Sequence, residues 1–135
     1  MSVQYKNIRG EKMQSPMTQT SESIFYYELH RKQLLNQVKK HYDLKLNDLL
    51  FLKHLLACDS TCIPLYQVKR NLTFSLMEVH KSLTTLTDQR IIGKKRSDED
   101  ERKVFITLTE EQIEKIKQLL NEFEALQQNV LQGMN

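Results

Sequence analysis

The chain has 135 residues, 27% of them charged and 7% aromatic, with no Trp, three Gly, two Pro and a formal net charge of +3. That length buries one core and not two, and so few glycines and prolines exclude a loop-rich fold in favour of a helix-rich one. No apolar run reaches membrane-spanning length and the first ten residues lack the apolar stretch of a secretory leader, so the expected setting is the cytoplasm, with Cys58 and Cys62 as reduced thiols.

Residues 1–22 are polar, include Pro16 and show no sustained apolar period; they read as a flexible tail, and residues 23–135 as the folded domain. Ser21 or Ser23 can cap a first helix to about Tyr42, with Ile24, Tyr27, Leu34 and Val38 at helical spacing. After a break at 43–46, Asn47 is a suitable N-cap for a helix over 48–57. Residues 58–63 are too few and too polar for a helix, and Pro64 suits the first turn of a new one over 64–71. Residues 72–75 interrupt again, with Thr73 as the expected N-cap. Leu76, Val79, Leu83 and Leu86 then step three, four and three residues along one helix face to about Asp88. Two helices joined by a tight turn, the second with a single apolar stripe, have helix-turn-helix organisation.

Two short strand-like runs follow, 91–95 and 103–107, with a charged turn between them and Ile92, Val104, Ile106 and Leu108 inward at period two. This is the pattern of a β-hairpin wing. Thr109, Glu110, Glu111 and Gln112 form a capping box, opening a last helix to about Gln132 on Ile113, Ile116, Leu119, Leu120, Phe123 and Leu126. The first and last helices carry more apolar surface than so small a domain covers. Mutual burial across a twofold axis solves both problems, so a homodimer through these helices is expected. The predicted fold class is mainly α with a small β-hairpin wing, a winged helix-turn-helix.

That architecture assigns positions to DNA. With Leu76, Val79, Leu83 and Leu86 facing the core, the other face of the second helix offers Ser75, Met77, Glu78, Lys81, Ser82 and Thr85 to the major groove. Glu78 can accept from a cytosine amino group, or pair at helical spacing with Lys81 or Ser82. The wing brings five cations together: Lys94, Lys95, Arg96, Arg102 and Lys103. Asp98, Glu99, Asp100 and Glu101 nearly cancel them. A purely electrostatic wing would not place four acids beside phosphate, so one acid is expected to be structural. Asp100, two residues from Arg102 and on the same strand face, is expected to pin its guanidinium for a narrow minor groove.

The run Lys94-Lys95-Arg96-Ser97-Asp98-Glu99-Asp100-Glu101-Arg102 resembles the wing motif of the Sar branch of the MarR-type regulators. Ile106 and the residues from Thr109 to Ile116 behind it fit the same pattern, and Tyr42-Asp43-Leu44-Lys45-Leu46-Asn47-Asp48 looks like the family's approach to its second helix. The resemblance spans roughly residues 23–130. It implies a dimeric winged-helix transcription factor on A·T-rich promoter DNA, with Arg96, Asp100, Glu101 and Arg102 matching the wing motif. It further implies that Arg102 enters the minor groove or grips its phosphates while Asp100 and Glu101 orient the wing. Redox-sensing members carry a Cys early in the first helix; residues 23–42 contain none, so that mechanism does not carry over.

Cys58 and Cys62 admit three readings: buried thiols, a redox pair, or metal ligands with His54. Structural zinc wants four ligands, and no CxxC or HxxxH supplies the rest. His30 and His41 read as packing residues near the proposed dimer face. No Ser–His–Asp arrangement, phosphate-cradling Gly loop or HExxH motif occurs, so no enzyme, cofactor or metal is expected and no small-molecule effector is named. The alternative class is a protein-interaction adaptor that modulates another regulator or polymerase and binds DNA weakly, which the four wing acids motivate.

Overall fold

The computed structural model describes residues 21–100 and 102–133, with side chains from 24 to 100 and 102 to 130; Glu101, residues 134–135 and residues 1–20, on which the tail expected over 1–22 falls except for its last two residues in α1, lie outside the described residues. The elements run α1 (Ser21–Tyr42), α2 (Leu46–Ala57), β1 (Cys62–Pro64), α3 (Leu65–Leu72), α4 (Leu76–Asp88), β2 (Gly93–Arg96), β3 (Val104–Thr107) and α5 (Glu110–Gly133). No described helix is long and apolar enough to cross a membrane.

Two helix starts depart from the sequence reading for one reason. α2 begins at Leu46 with Lys45 as N-cap, not at Asn47, because the Asp48 carboxylate reaches back to accept the Lys45 N–H at 2.9 Å. α4 is capped by Ser75 and not by Thr73. The Ser75 N–H donates to Glu78 Oε1 at 2.8 Å while the Glu78 N–H donates to Ser75 Oγ at 3.1 Å. Both side chains thereby satisfy amide groups that the first helical turn leaves open. Thr73 instead ends α3 in the left-handed region, at φ 54°, where a β-branched residue is strained. The expected box at Thr109 and Gln112 is present, with both bonds at 3.0 Å.

A third strand was not anticipated. Residues 62–64 form an edge strand, and the sheet order is β1-β3-β2, all antiparallel. Pro64 lacks an amide hydrogen, which an edge strand tolerates; it ends β1 and caps α3, where a place in the first helical turn was expected. Ile63 stands opposite Ile106, and both are buried. The wing arms are shorter than read, beginning at Gly93 and Val104. Gly93 faces Thr107 so closely that an added Cβ would lie 2.6 Å from Thr107 Oγ1.

α2 lies at the centre, touching α3, α4 and α5, while α5 also packs along α1. Phe51, Leu52 and Leu55 from α2 meet Val38 of α1, Val68 of α3, Val79, Leu83 and Leu86 of α4, Ile106 of β3 and Ile116 of α5 in one core. Burying each such side chain is worth about 1.5–3 kcal/mol. Ile92, Ile106 and Leu108 turn inward as their alternation predicts, with Val104 half-buried. Leu76 does not join them. It is 60% exposed, while Ser82, on the other flank of the stripe, is buried.

Candidate nucleic-acid interface

α3, the turn over 73–75 and α4 form the helix-turn-helix, and the hairpin β2–β3 follows directly. At 100° per residue, the face of α4 opposite Val79, Leu83 and Leu86 carries Met77, Lys81 and Thr84, all exposed, with His80 exposed on one flank. Of the six residues assigned to this face from sequence, Ser75, Met77, Glu78 and Lys81 are exposed and Thr85 is half-buried. Ser82 is only 2% exposed and is withdrawn from the interface. A small hydroxyl residue fits against the core where the apolar stripe was assumed to be strict. His80, Thr84 and Leu76 were missed for the same reason: the stripe was centred one step towards Leu76.

Glu78 is a cap first. Beyond its bond to the Ser75 amide, Oε2 accepts from Asn47 Nδ2 at 3.4 Å, tying the start of α4 to α2. The Ser75 backbone N–H, then the Ser75 hydroxyl, holds this carboxyl below the usual range. The pairings with Lys81 or Ser82 that spacing allowed are not among its hydrogen bonds. On α3, Arg70 lies 5.6 Å over the ring of exposed Tyr66.

The wing tip is organised by its own side chains. Ser97 Oγ accepts from the N–H groups of Glu99 (3.2 Å) and Asp100 (3.4 Å), and the Ser97 N–H donates to the Lys103 carbonyl at 2.9 Å. Asp100 grips Arg102 three times: Oδ1 accepts from the Arg102 N–H at 3.0 Å and from Nε at 3.2 Å, and Oδ2 accepts from a terminal guanidinium nitrogen at 3.4 Å. The expected pairing is therefore made, by a turn and not by a shared strand face. The Arg102 side chain is 91% exposed, the Asp100 side chain 29%. Arg102, through its side chain and then its backbone N–H, holds the Asp100 carboxyl below its ordinary value. Lys94, Lys95, Arg96 and Lys103 are exposed around the pair, and Glu101 lies outside the described residues. Ser97 was quoted as part of the motif but given no role; a Ser two and three residues before turn amides was the available signal.

Cys58 and Cys62 are free thiols. Cys58 follows the last turn of α2, half-buried, with His54 Nε2 3.6 Å from Sγ and Gln67 Nε2 donating to Sγ at 3.7 Å. Burial pushes its thiol up, which disfavours the reactive thiolate. Cys62 is exposed at the start of β1, so the helical face that would have aligned it with His54 and Cys58 does not form. Among the described residues no three His, Cys, Asp or Glu groups converge on a metal position.

At the other end, the Tyr42 hydroxyl donates to Glu122 Oε1 at 3.0 Å, tying α1 to α5. Beyond this tie Ile24 and Phe25 are 68% and 73% exposed, and Tyr27 and Leu29 are more than half exposed. His30 is buried beside Tyr26, its Nδ1–H donating to the Tyr26 carbonyl at 2.7 Å.

A helix-turn-helix joined to a β-hairpin wing in a three-stranded sheet, between two long flanking helices, defines the winged-helix class of proteins. Within that class, the sequence profile of the transcriptional regulator SarA/Rot family matches residues 33–119, and the chain belongs to this family of transcriptional regulators, not to an enzyme family. It is 30% identical over 98 residues to the HTH-type transcriptional regulator SarR of Staphylococcus aureus (strain USA300), covering 73% of this chain and 85% of SarR. It is 28% identical over 102 residues to SarU of S. aureus (strain NCTC 8325 / PS 47), covering 76% of this chain and 40% of SarU. Among solved structures, S. aureus MepR in complex with DNA superposes with a TM-score of 0.62 at 20% identity, over 86% of this chain and 85% of MepR. Reduced AbfR bound to DNA gives 0.59 at 19% identity, over 77% of this chain and 73% of AbfR. At these identities the two structures speak for the fold.

Proposed function

We propose that the protein regulates transcription as a homodimer on A·T-rich promoter DNA, each protomer laying α4 in the major groove and its wing tip beside the minor groove. The observation that carries this reading is Arg102, almost fully exposed and held in one orientation by Asp100. A guanidinium fixed in this way suits a narrow, strongly negative groove. Lys81 on α4 and the four other wing cations supply phosphate contacts. Family membership supports the reading, and so do the two neighbours solved on DNA. The exposed apolar residues of α1, next to the end of α5, supply the dimer face. A twofold dimer then spaces its two α4 helices about one DNA turn apart, ~34 Å.

The test is the salt dependence of binding to an A·T-rich duplex. With roughly four of these cations on phosphate in each protomer, the log–log slope for the dimer is on the order of −6 to −8. Arg102→Ala is expected to weaken binding about 10- to 100-fold and flatten the slope by about 2. A weak, flat salt response in both proteins would reject the reading. It would favour the protein-adaptor alternative, which draws on the acids at the wing tip.

A further inference from the structure

We propose that Leu76 and Met77 at the tip of α4 read thymine C5-methyl groups in the major groove, so that part of the preference for A·T pairs is direct apolar recognition by this helix. The inference rests on the DNA-binding reading above and goes beyond it by naming the chemical group recognised.

Four observations converge. First, Ser75 and Glu78, the polar residues best placed at the helix start, are committed to capping it, and Glu78 is also held by Asn47. Second, the two residues between them are large and apolar, Leu76 being 60% and Met77 67% exposed. Third, Leu76 continues the Val79–Leu83 stripe by spacing, yet the core does not cover it, so its apolar surface is left free at the helix start. Fourth, the helix-turn-helix carries exposed cations on both its helices: Lys81 lies one turn on from Met77 on the same face of α4, and α3 presents Arg70 over Tyr66.

An apolar point amid cations fits a polyanion that carries apolar spots. In the major groove only thymine offers one, its 5-methyl group; the other base edges present donors and acceptors that Leu and Met cannot satisfy. The unbranched Met side chain adapts to the spacing of neighbouring methyls. A recognition helix contacts bases through its N-terminal residues, and these are the first two helical positions of α4. A second copy of the chain has its own apolar face elsewhere, at Ile24 and Phe25 of α1.

The experiment compares two A·T-rich duplexes, one natural and one with every thymine replaced by deoxyuridine. The replacement deletes only methyl groups and preserves pairing and charge. Each buried methyl contributes about a fourfold change in affinity, so wild type is expected to bind the uridine duplex roughly tenfold more weakly. Leu76→Ala/Met77→Ala should bind natural DNA about tenfold more weakly than wild type, bind both duplexes equally and melt like wild type. The variant also controls for any change of groove shape that uridine brings. Equal affinity of wild type for both duplexes would overturn the proposal. So would undiminished discrimination by the variant, which would leave the tip to a protein partner. In both cases salt-dependent binding that needs Arg102 would survive, which separates this failure from failure of the DNA-binding reading.

Discussion

Asp100 is the residue on which the wing depends most. Its carboxylate takes three hydrogen bonds from Arg102, and Lys103 adds favourable charge nearby. Asp100→Asn keeps one acceptor but removes the charge. The guanidinium is then expected to swing freely, lowering affinity for the A·T-rich duplex about tenfold while the melting temperature stays near that of wild type. The pH response has a fixed sign. The folded protein holds this carboxyl below its unfolded value, so the orienting contact is complete at and above the ordinary carboxylate range. It is lost only as pH falls through the lower folded value. Protonation of Asp100 should therefore leave wild-type affinity unchanged from pH 5 to 8, so that Asp100→Asn shifts the whole curve without changing its shape. A titration of binding against pH checks this; a bend in the wild-type curve that Asp100→Asn abolishes would count against the wing geometry. The contact was legible from sequence because four acids among five cations posed an electrostatic question with one local answer. Ser82 was not legible, since composition gives a small hydroxyl residue no sign of which side of a helix it will take.

Among the elements, the helix starts teach the clearest lesson. The capping box at Thr109 and Gln112 was read from its spacing, and the same Ser-x-x-Glu spacing stood at Ser75 and Glu78. Thr73, two residues earlier, is a capping residue by type as well, and only its left-handed backbone at the end of α3 excludes it. β1 was missed for a different reason. Its three residues are too short for any alternation, and they become a strand only because β3 passes beside them in register. α1 makes the sharpest demand at this scale. Its first half exposes Ile24, Phe25, Tyr27 and Leu29, which a solvated helix has no reason to carry in succession. Ile24→Lys/Phe25→Lys should yield a monomer in sedimentation at micromolar concentration, with helix content unchanged. DNA affinity should fall by more than tenfold, because two half-sites no longer bind as one. A variant that stays dimeric would move the interface away from this face.

Across the whole molecule, the helix-turn-helix, the wing and the long flanking helices were predictable because each has its own period. Their joining was not, since it depends on pairings far apart in sequence. β3 is the middle strand, bonded to β1 on one side and β2 on the other, and it leads through buried Leu108 straight into α5. The Leu108 N–H continues the β1 pairing by donating to the Thr61 carbonyl at 3.0 Å. α5 in turn packs on α1 and α2. Among the described residues, the wing tip is thus a place where the chain leaves the body and returns to it between two firmly seated segments. Limited trypsin treatment should cut there, where Arg96, Arg102 and Lys103 are exposed. The two pieces should nevertheless travel as one particle in gel filtration and part only in denaturant, as a split protein whose halves complement each other. Such a nicked molecule would keep its fold while losing the proposed grip of Arg102 on DNA, and co-expression of the two halves separately should rebuild it.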